Sequence, residues 1–481
     1  MQLRKAMLII LIAILTLSPL TAGASSETHS GSGQQQNTAL QQVQVTNISS
    51  TLLGLNTLYQ YLSQNFLYDI DIDKVDVELT KALFKALDDP YSEYITEEES
   101  EEFTEDITGT YVGIGTYLTK YSPAFIDWDD EKTYMVEIIA PFPGGPADRA
   151  GLRAGDLISH VNGETVYELT ATEASMKIRG KAGEPITLTV HRGSAVFDIT
   201  MYPEEVTTPN TTSLMIEGTD IGYISISSFT QKTYELFSED LKKLTLNGAQ
   251  GLIIDLRNNA GGVVDSATMI ANFFLPEGAT VLSIQHKEGS SRQNYSTVAS
   301  NDTRKNLTIP IVILTNGGTA SASEILTAAL QENGRATVIG SKTFGKGIIQ
   351  ESAMWKNGYI KYTSAYYLTP NGNNIHKTGI EPDIAVEEHE YTDEEITAYY
   401  DFVESSQDEI TQYIKDNPLY SRENIDAFAA LHAGLGIHET ALKLLIRNEY
   451  IYAMPYNERP KVDLMYDTAL IAAVDYLKEG K

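Results

Sequence analysis

Apolar residues recur at helical spacing near the start of the chain. Their two stripes consist of Leu52, Leu55, Tyr59, Leu62 and Phe66, and then of Leu79, Leu83 and Leu87. Residues three or four apart share one face of a helix, so the pattern predicts helices from Asn47 to about Phe103. We expect both apolar faces to lie in a packed core.

Short apolar runs that alternate with helical segments occupy the middle of the chain. The runs are Gly222–Ser227, Gly251–Leu256, Ile309–Leu314, Ala336–Ile339 and Tyr359–Tyr367. Their length and β-branched content are typical of strands. Strands that alternate with helices predict an α/β fold.

Residues 310–350 combine such elements with candidate chemistry. Ile311–Leu314 predicts a strand, Thr315–Gly318 predicts a turn, and the segment from Ser321 to Gln331 is rich in helix formers. Ser321 therefore stands where the turn becomes the helix. Lys346 stands in a later loop, between two glycines.

A serine at a helix N-terminus is suited to acyl transfer. Free backbone N–H groups and the helix dipole can stabilise an oxyanion next to its hydroxyl. A lysine can act as the general base if burial lowers its pKa enough to leave the amine neutral. Gly345 and Gly347 would let the backbone pack closely around Lys346.

Three other interpretations stay open from the pattern alone. Ser321 and Glu324 match a capping box, in which Ser321 would only cap its helix. The glycine spacing before Lys346 approaches a phosphate loop, but Gly347 replaces the hydroxyl residue that would bind Mg²⁺. Lys346 could also be a solvated surface lysine.

Composition narrows the function classes. The chain has 481 residues, of which 42% are hydrophobic, so we expect packed cores in roughly two to four domains. Its formal net charge of −30 argues against a cationic groove for nucleic acid. The absence of cysteine excludes disulfides, thiolate metal sites, a cysteine nucleophile and a lipidated cysteine anchor.

The first residues resemble a targeting segment. Arg4 and Lys5 precede the apolar run Ala6–Leu20, and Ala22-Gly23-Ala24 offers a cleavage site. The apolar run is short for a spanning helix, so we expect a cleaved signal peptide, with an uncleaved anchor as the alternative. A secreted or extracytoplasmic bacterial protein follows, with a membrane tether left open.

The stretch from Thr315 to Gln350, TNGGTASASEILTAALQENGRATVIGSKTFGKGIIQ, resembles the signature of the C-terminal processing peptidases, or tail-specific proteases. The resemblance implies that Ser321 is the nucleophile and that Lys346 is the general base. It further implies that Gln350 orients the lysine, and that the chemistry needs no metal or cofactor. Thr319 replaces a serine of the family's motif but precedes the nucleophile.

The run Asp255–Gly262, DLRNNAGG, resembles the family's oxyanion-hole motif. The resemblance implies that the N–H of Gly261 or Gly262 joins that of Ala322 to bind the oxyanion, and the choice between the two glycines stays open. A tight turn is the alternative for the glycine pair.

Residues from Thr108 to about Pro203 resemble a PDZ domain. The run Tyr111–Thr116, YVGIGT, is similar to the carboxylate-binding loop, and Pro146–Ile158 is similar to the helix and turn that follow. The resemblance implies that Gly113, Ile114 and Gly115 bind a peptide's terminal carboxylate while the tail adds to a sheet edge. A spacer that binds nothing tightly is the alternative.

We therefore expect an α/β multidomain protein with a crotonase/ClpP-like peptidase core, an inserted PDZ domain and helical terminal regions. The expected boundaries are a signal peptide at 1–24, a disordered tether at 25–40, a helical region at 41–107, the PDZ domain at 108–204, the core at 205–390 and a helical region at 391–481. Gln285 to Asn306 is polar and predicts a surface loop or lid.

The expected function is that of a serine endopeptidase that recognises the C-terminal tails of protein or peptide substrates and cleaves them with a Ser–Lys dyad. A homodimer through the N-terminal helices stays open. The alternatives are a catalytically silent scaffold that binds peptide tails and a hydrolase that uses a histidine, such as His286 or His376.

Overall fold

The structure is a computed structural model that describes residues 34–300, 307–386, 389–454 and 458–480. The predicted signal peptide lies outside these residues, as does the predicted tether up to residue 33. Helix α1, Gln34–Asn65, begins inside the remainder of the tether segment. Within the described ranges, no helix is both long and apolar enough to cross a membrane.

The described residues up to 96, together with residues 352–362, form the smaller of two compact units. After α1 it contains α2, Ile72–Lys85, and β1, Glu93–Ile95, which pairs antiparallel with Tyr359–Lys361. Asp71 begins α2 by accepting a hydrogen bond from the Lys74 N–H at 3.1 Å. The sequence predicted only helix here and missed β1, a short strand whose Tyr94 and Ile95 are buried.

The expectation that both apolar stripes lie in a core is wrong for most of their side chains. The exposed members are Leu52, Leu55, Leu62, Phe66, Leu79, Leu83 and Leu87. Their neighbours Leu53 and Leu67 are 68% and 83% exposed. An amphipathic helix buries its apolar face only when another layer covers it, and the described residues of this unit supply no such layer.

The larger unit begins at residue 97 with α3, Ser100–Thr108, and continues into a module of residues 110–207. The strands of this module are β2 Thr110–Gly113, β3 Thr116–Thr119, β4 Val136–Pro141, β5 Leu157–Val161, β6 Glu164–Thr165, β7 Ile186–Arg192, β8 Ala195–Met201 and β9 Glu204–Thr207. Its helices are α4 Glu131–Tyr134, α5 Pro146–Arg149 and α6 Ala171–Arg179.

The module has a sheet and an apolar core of its own. The strand order is β3-β4-β5-β7-β8, with β6 beside β5, and β2 pairs with β9 where the chain enters and leaves. Alternate residues of the strands point inward, as Ile186, Leu188 and Val190 do on β7. This is the region predicted to be a PDZ domain.

A second set of elements follows in chain order. Its strands are β10 Thr211–Met215, β11 Ile221–Ile226, β12 Gly251–Asp255, β13 Thr280–His286, β14 Tyr295–Val298, β15 Ile311–Thr315, β16 Thr337–Gly340, β17 Ile348–Trp355, β18 Gly358–Leu368 and β19 Ile384–Ala385. Its helices are α7 Thr233–Leu246, α8 Val264–Ala271 and α9 Ala322–Glu332. Each of the predicted core strands is present, within two residues of its predicted bounds.

The central sheet has the order β10-β11-β12-β15-β16-β19 and is parallel from β11 onward. Its strands are apolar on both faces. Ile254 and Ile313 pack with the residues of α7, α8 and α9 on one face, while Ile253 and Val312 contact the C-terminal helix on the other. The carboxyl ends of β12, β15 and β16 therefore meet at one edge of a fully covered sheet.

The polar segment predicted to be a loop or lid is partly a hairpin. β14 pairs antiparallel with β13, and the hydroxyls of Ser283 and Ser296 lie 2.7 Å apart across the pair. β13 also pairs with the last residues of β18. Residues 301–306 of the segment lie outside the described ranges.

The C-terminal region is helical, as predicted. Its helices are α10 Asp393–Ser405, α11 Gln407–Asp416, α12 Arg422–Leu431, α13 Glu439–Ala453 and α14 Thr468–Lys478. The first four share an apolar core around Phe402, Phe428 and Ile446. The last, α14, packs Leu470 and Ala473 onto the central sheet.

Candidate active site

Ser321 lies at the junction between the turn after β15 and helix α9. It is the N-cap residue of α9 and only 8% exposed. Its φ of 56° and ψ of −117° are unusual for a residue with a side chain. Such strain persists where surrounding contacts over-determine the backbone, and it is typical of functional sites.

The buried carboxylate of Glu324 connects the loops that carry Ser321 and Lys346. Its Oε2 accepts hydrogen bonds from the backbone N–H of Ser321 at 2.9 Å and of Lys346 at 2.8 Å. Its Oε1 accepts from the Thr343 hydroxyl at 2.5 Å and from the Gly345 N–H at 2.8 Å. Residues that are far apart in sequence are thus held against the same carboxylate.

The electrostatics of Glu324 follow from this burial. Desolvation raises the pKa of its carboxyl above the usual range, and the hydrogen bonds from Thr343, Lys346, Gly345 and Ser321 oppose that rise because they stabilise the charged form. The nearby Tyr367 hydroxyl donates to the Ser321 carbonyl at 3.3 Å, and burial raises the pKa of this tyrosine as well.

The loop after β12 is fastened to the Ser321 turn by Asn259. The Asn259 carbonyl accepts hydrogen bonds from the Ala320 N–H and from the Ser323 hydroxyl, both at 2.9 Å. Its side-chain amide donates to the Ile226 carbonyl at 2.8 Å, and its Oδ1 accepts from the Gly261 N–H at 2.9 Å. Asn259 is fully buried, so these contacts fix the loop rigidly.

Neighbouring atoms lie so close to both glycines of the DLRNNAGG run that neither position has room for a side chain. A Cβ on Gly261 would lie 2.7 Å from the Ser321 Cβ and 2.8 Å from the Ala322 nitrogen. A Cβ on Gly262 would lie 2.0 Å from the Phe229 carbonyl oxygen. Gly261 therefore lies against Ser321 and Ala322, whereas Gly262 packs against the backbone of Phe229.

Lys346 lies in a loop enclosed by residues 375–379. A Cβ on Gly345 would meet the Gly379 nitrogen at 2.7 Å, and one on Gly347 would meet the His376 nitrogen at 2.6 Å. The flanking glycines thus allow the close packing that the sequence predicted, and Lys346 is half-buried.

Backbone contacts to Glu324, and not a hydrogen bond between the two side chains, bring the residues of the predicted dyad together. Within the described residues, no hydrogen bond joins the Ser321 hydroxyl to Lys346, nor Gln350 to Lys346. The Gln350 Nε2 instead donates to the Thr363 hydroxyl at 3.4 Å. Catalytic hydrogen bonds are often long before substrate binds, so the backbone arrangement is the informative feature.

The predicted carboxylate loop lies between β2 and β3. The carbonyl of Ile114 accepts from the Ala147 N–H, and that of Gly115 accepts from the Phe142 N–H, both at 2.9 Å. Gly115 has a φ of 70°, and Gly113 ends β2. These residues belong to the inserted module rather than to the cluster around Ser321.

Sequence reasoning missed three parts of the site. The sequence pattern presents Glu324 only as part of a helix cap, and Asn259 only as one residue of the DLRNNAGG run. Arg257, in the same motif, donates to Asp255 and to the distant Asp467. The opposite charges of Asp255 and Arg257 are visible in the DLR run, whereas nothing in the sequence marks Asp467 as a partner of Arg257.

Two protein-family models match the chain. The model of peptidase family S41 matches residues 220–386, and a PDZ domain model matches residues 137–192. The α/β multidomain fold with an inserted PDZ domain, predicted from the sequence, is therefore confirmed.

The chain is also similar to curated staphylococcal proteins. A probable CtpA-like serine protease of Staphylococcus aureus strain COL is 35% identical over 344 residues, which cover 71% of this chain and 66% of that protein. Its counterpart in Staphylococcus saprophyticus is 33% identical, over 69% of this chain and 65% of that protein. The chain thus matches these relatives over about two thirds of their length.

Among solved structures, the photosystem II D1 C-terminal processing protease is 26% identical, with a TM-score of 0.38, over 69% of this chain and 86% of that protein. On the family model and the staphylococcal relatives, the chain belongs to peptidase family S41.

Proposed function

We propose that the chain is an extracytoplasmic serine endopeptidase that binds the C-terminal tails of proteins through its PDZ domain and cleaves them with Ser321 and Lys346. The observation that carries this proposal is the shared carboxylate of Glu324, whose Oε2 binds the backbone nitrogens of both residues. Anchoring both backbones to one carboxylate brings the two loops together, which supports proton transfer between the Ser321 and Lys346 side chains.

The reaction would proceed through an acyl-enzyme. The neutral Lys346 amine removes the Ser321 hydroxyl proton while the hydroxyl oxygen attacks the scissile carbonyl. The protonated amine then gives its proton to the leaving nitrogen as the peptide bond breaks. Water then attacks the ester and gives a proton to Lys346, which passes it to the Ser321 oxygen as the ester bond breaks and the new C-terminus leaves.

The oxyanion would be held by backbone N–H groups beside Ser321. Ala322 is the first residue of α9, where N–H groups lack intrahelical acceptors. The Gly261 N–H is already bonded to Asn259 Oδ1, whereas within the described residues the Gly262 N–H has no hydrogen-bond acceptor. We therefore favour Gly262 as the partner of Ala322.

The PDZ domain offers a place for a peptide tail. β3 is an edge strand of the domain's sheet, and an edge strand can take an added peptide strand beside it. Helix α6 packs Ala174 and Ile178 against Ile114 of the carboxylate loop. The last residue of α6, Arg179, donates to Glu105 of α3 at 2.9 Å and lies over the Tyr111 ring.

The smaller unit supports a homodimer. Its exposed leucines form an uncovered apolar surface on α1, on α2 and in the segment between them. A soluble protein rarely leaves such a surface in water, and a second copy of the same helices would cover it. A membrane tether through the segment before residue 34 stays a separate proposal.

Replacement of Ser321 by Ala should abolish cleavage of an unfolded protein substrate, as followed by mass spectrometry. The loss of the cap should cost about 1 kcal/mol of folding stability, so the variant should remain folded. The matched control is Ser421→Ala, because Ser421 caps α12 by accepting from the Asn424 N–H at 3.3 Å. Equal turnover by parent and Ser321→Ala would favour a catalytically silent scaffold with a contaminating activity.

Replacement of Lys346 by Arg should be nearly as damaging as replacement by Ala, because arginine stays protonated and cannot act as a base. Parent activity should rise with pH as Lys346 loses its proton. The control is Lys342→Arg, which alters a surface lysine paired with Glu381 at 2.7 Å. Parent-like rates and an unchanged pH profile in Lys346→Arg would exclude the dyad and return attention to the histidines.

Amidation of a substrate's terminal carboxylate should weaken its binding and its processing, because the carboxylate loop loses its anion. Binding is best measured with the Ser321→Ala protein, in which no cleavage competes. Equal affinity for the free-acid and amidated peptides would show that the PDZ domain does not recognise the terminus.

Light scattering of the purified protein should give twice the 53.0 kDa chain mass at micromolar concentration. The double substitution Leu53→Gln and Leu67→Gln should shift the protein toward monomer, because it removes the two most exposed of the described leucines in the smaller unit. The control is Leu431→Gln, at a site 70% exposed on α12. A parent that stays monomeric at every concentration would refute the dimer.

A further inference from the structure

The C-terminal helix α14 is tied to the active-site edge of the central sheet by a charged contact. Asp467 is its N-cap residue, and Asp467 Oδ1 accepts from the Leu470 N–H at 2.9 Å. Both oxygens of Asp467 also accept from Arg257, Oδ1 from Nη1 and Oδ2 from Nη2, each at 2.7 Å. The two residues are 210 positions apart in sequence.

The other side of the Arg257 guanidinium is occupied by Asp255. Arg257 Nε donates to Asp255 Oδ1 at 3.0 Å, and Nη2 donates to Oδ2 at 2.6 Å. The Tyr223 hydroxyl completes the group by donating to Asp255 Oδ2 at 2.8 Å. A planar guanidinium held in a bidentate contact on two sides has little freedom to rotate. We call Asp255, Arg257 and Asp467 the carboxylate clamp.

The carboxylate clamp lies at the start of the loop that lines the proposed oxyanion hole. Arg257 precedes Asn259 by two residues, and Asn259 bonds both to the Ser321 turn and to the Gly261 N–H. The Thr319 hydroxyl, in the turn itself, donates to the Leu256 carbonyl at 2.8 Å. Movement of Arg257 would therefore displace backbone on both sides of the Ser321 hydroxyl.

We infer that Asp467 is a positioning residue for peptide hydrolysis, which acts through Arg257 to hold the 256–262 loop at the spacing that the oxyanion requires. This inference rests on the proposed function, because it assigns the loop to oxyanion binding. The C-terminal region thus contributes to catalysis without touching substrate.

Asp467→Asn is the informative substitution. Asparagine is an equally good N-cap, so helix α14 should begin as before, but the charge that holds Arg257 is lost. Small displacements of catalytic groups cost up to about 100-fold in rate. We expect kcat to fall roughly ten-fold while KM changes less than about two-fold, because oxyanion contacts stabilise the transition state rather than bound substrate.

A matched control lies four residues earlier. Asp463 pairs with Arg447 at 2.8 Å and accepts from the Met465 N–H at 2.7 Å. It resembles Asp467 in chemistry but has no contact with the carboxylate clamp among the described residues. Asp463→Asn should therefore reproduce any general loss of stability in the C-terminal region and leave kcat unchanged.

The experiment compares the parent, Asp467→Asn and Asp463→Asn as full chains. For each protein we would measure kcat and KM on an unfolded protein substrate. We would also measure the affinity for a peptide aldehyde that forms a tetrahedral adduct with serine, and the rate of amide hydrogen exchange in residues 255–262 and 315–322. Asp467→Asn should lose aldehyde affinity by about the factor lost in kcat and exchange faster in both segments.

The outcomes distinguish a failure of the inference about Asp467 from a failure of the proposed function. Unchanged kcat and exchange in Asp467→Asn would overturn the inference, as would an equal loss in Asp463→Asn. If the parent shows no Ser321-dependent cleavage, the proposed function fails, and hydrogen exchange alone then tests whether Asp467 holds the loop. Faster exchange confined to Asp467→Asn would support the positional part by itself.

Discussion

The arrangement of the site depends on one buried carboxylate. Glu324 accepts hydrogen bonds from the backbone of Ser321, Gly345 and Lys346 and from the Thr343 hydroxyl. Hydrogen bonds to a charged group contribute about 1.5–3 kcal/mol each, which offsets the cost of burying the carboxylate. The loops of the proposed nucleophile and the proposed base are therefore held together by a group that takes no part in the proposed proton transfer.

The parallel sheet explains why one carboxylate can reach both loops. The strands β12, β15 and β16 run in the same direction, so the loops after them emerge at one edge. The first loop carries the glycine pair, the second carries Ser321, and the third leads to Lys346. Helices on one face and α14 on the other bury the strands, so the loops start from a rigid base.

The two units differ in how much of their apolar surface a single chain buries. The larger unit buries its apolar residues in separate clusters for the PDZ domain, the central sheet and the C-terminal helices. The smaller unit leaves leucines on α1 and α2 exposed. The exposed leucines of the smaller unit are therefore the candidate surface for a partner.

The amino-acid sequence by itself determined the order of the core strands, the α/β class and the local placement of Ser321 and Lys346. These features depend on short-range patterns: apolar runs, glycine turns and a serine before a helix. The prediction that the apolar stripes on α1 and α2 are buried was wrong, because spacing along a helix reveals an apolar face but not whether another layer covers it.

Only the tertiary structure decided which groups meet. The link from Lys346 to Ser321 through Glu324, the fastening of the turn by Asn259, and the contact between Arg257 and Asp467 all join residues distant in sequence. No local pattern marks Asp467 as a partner of Arg257, because that contact exists only once α14 has packed on the sheet. Side-chain partners across a fold are set by long-range packing, which residue spacing does not encode.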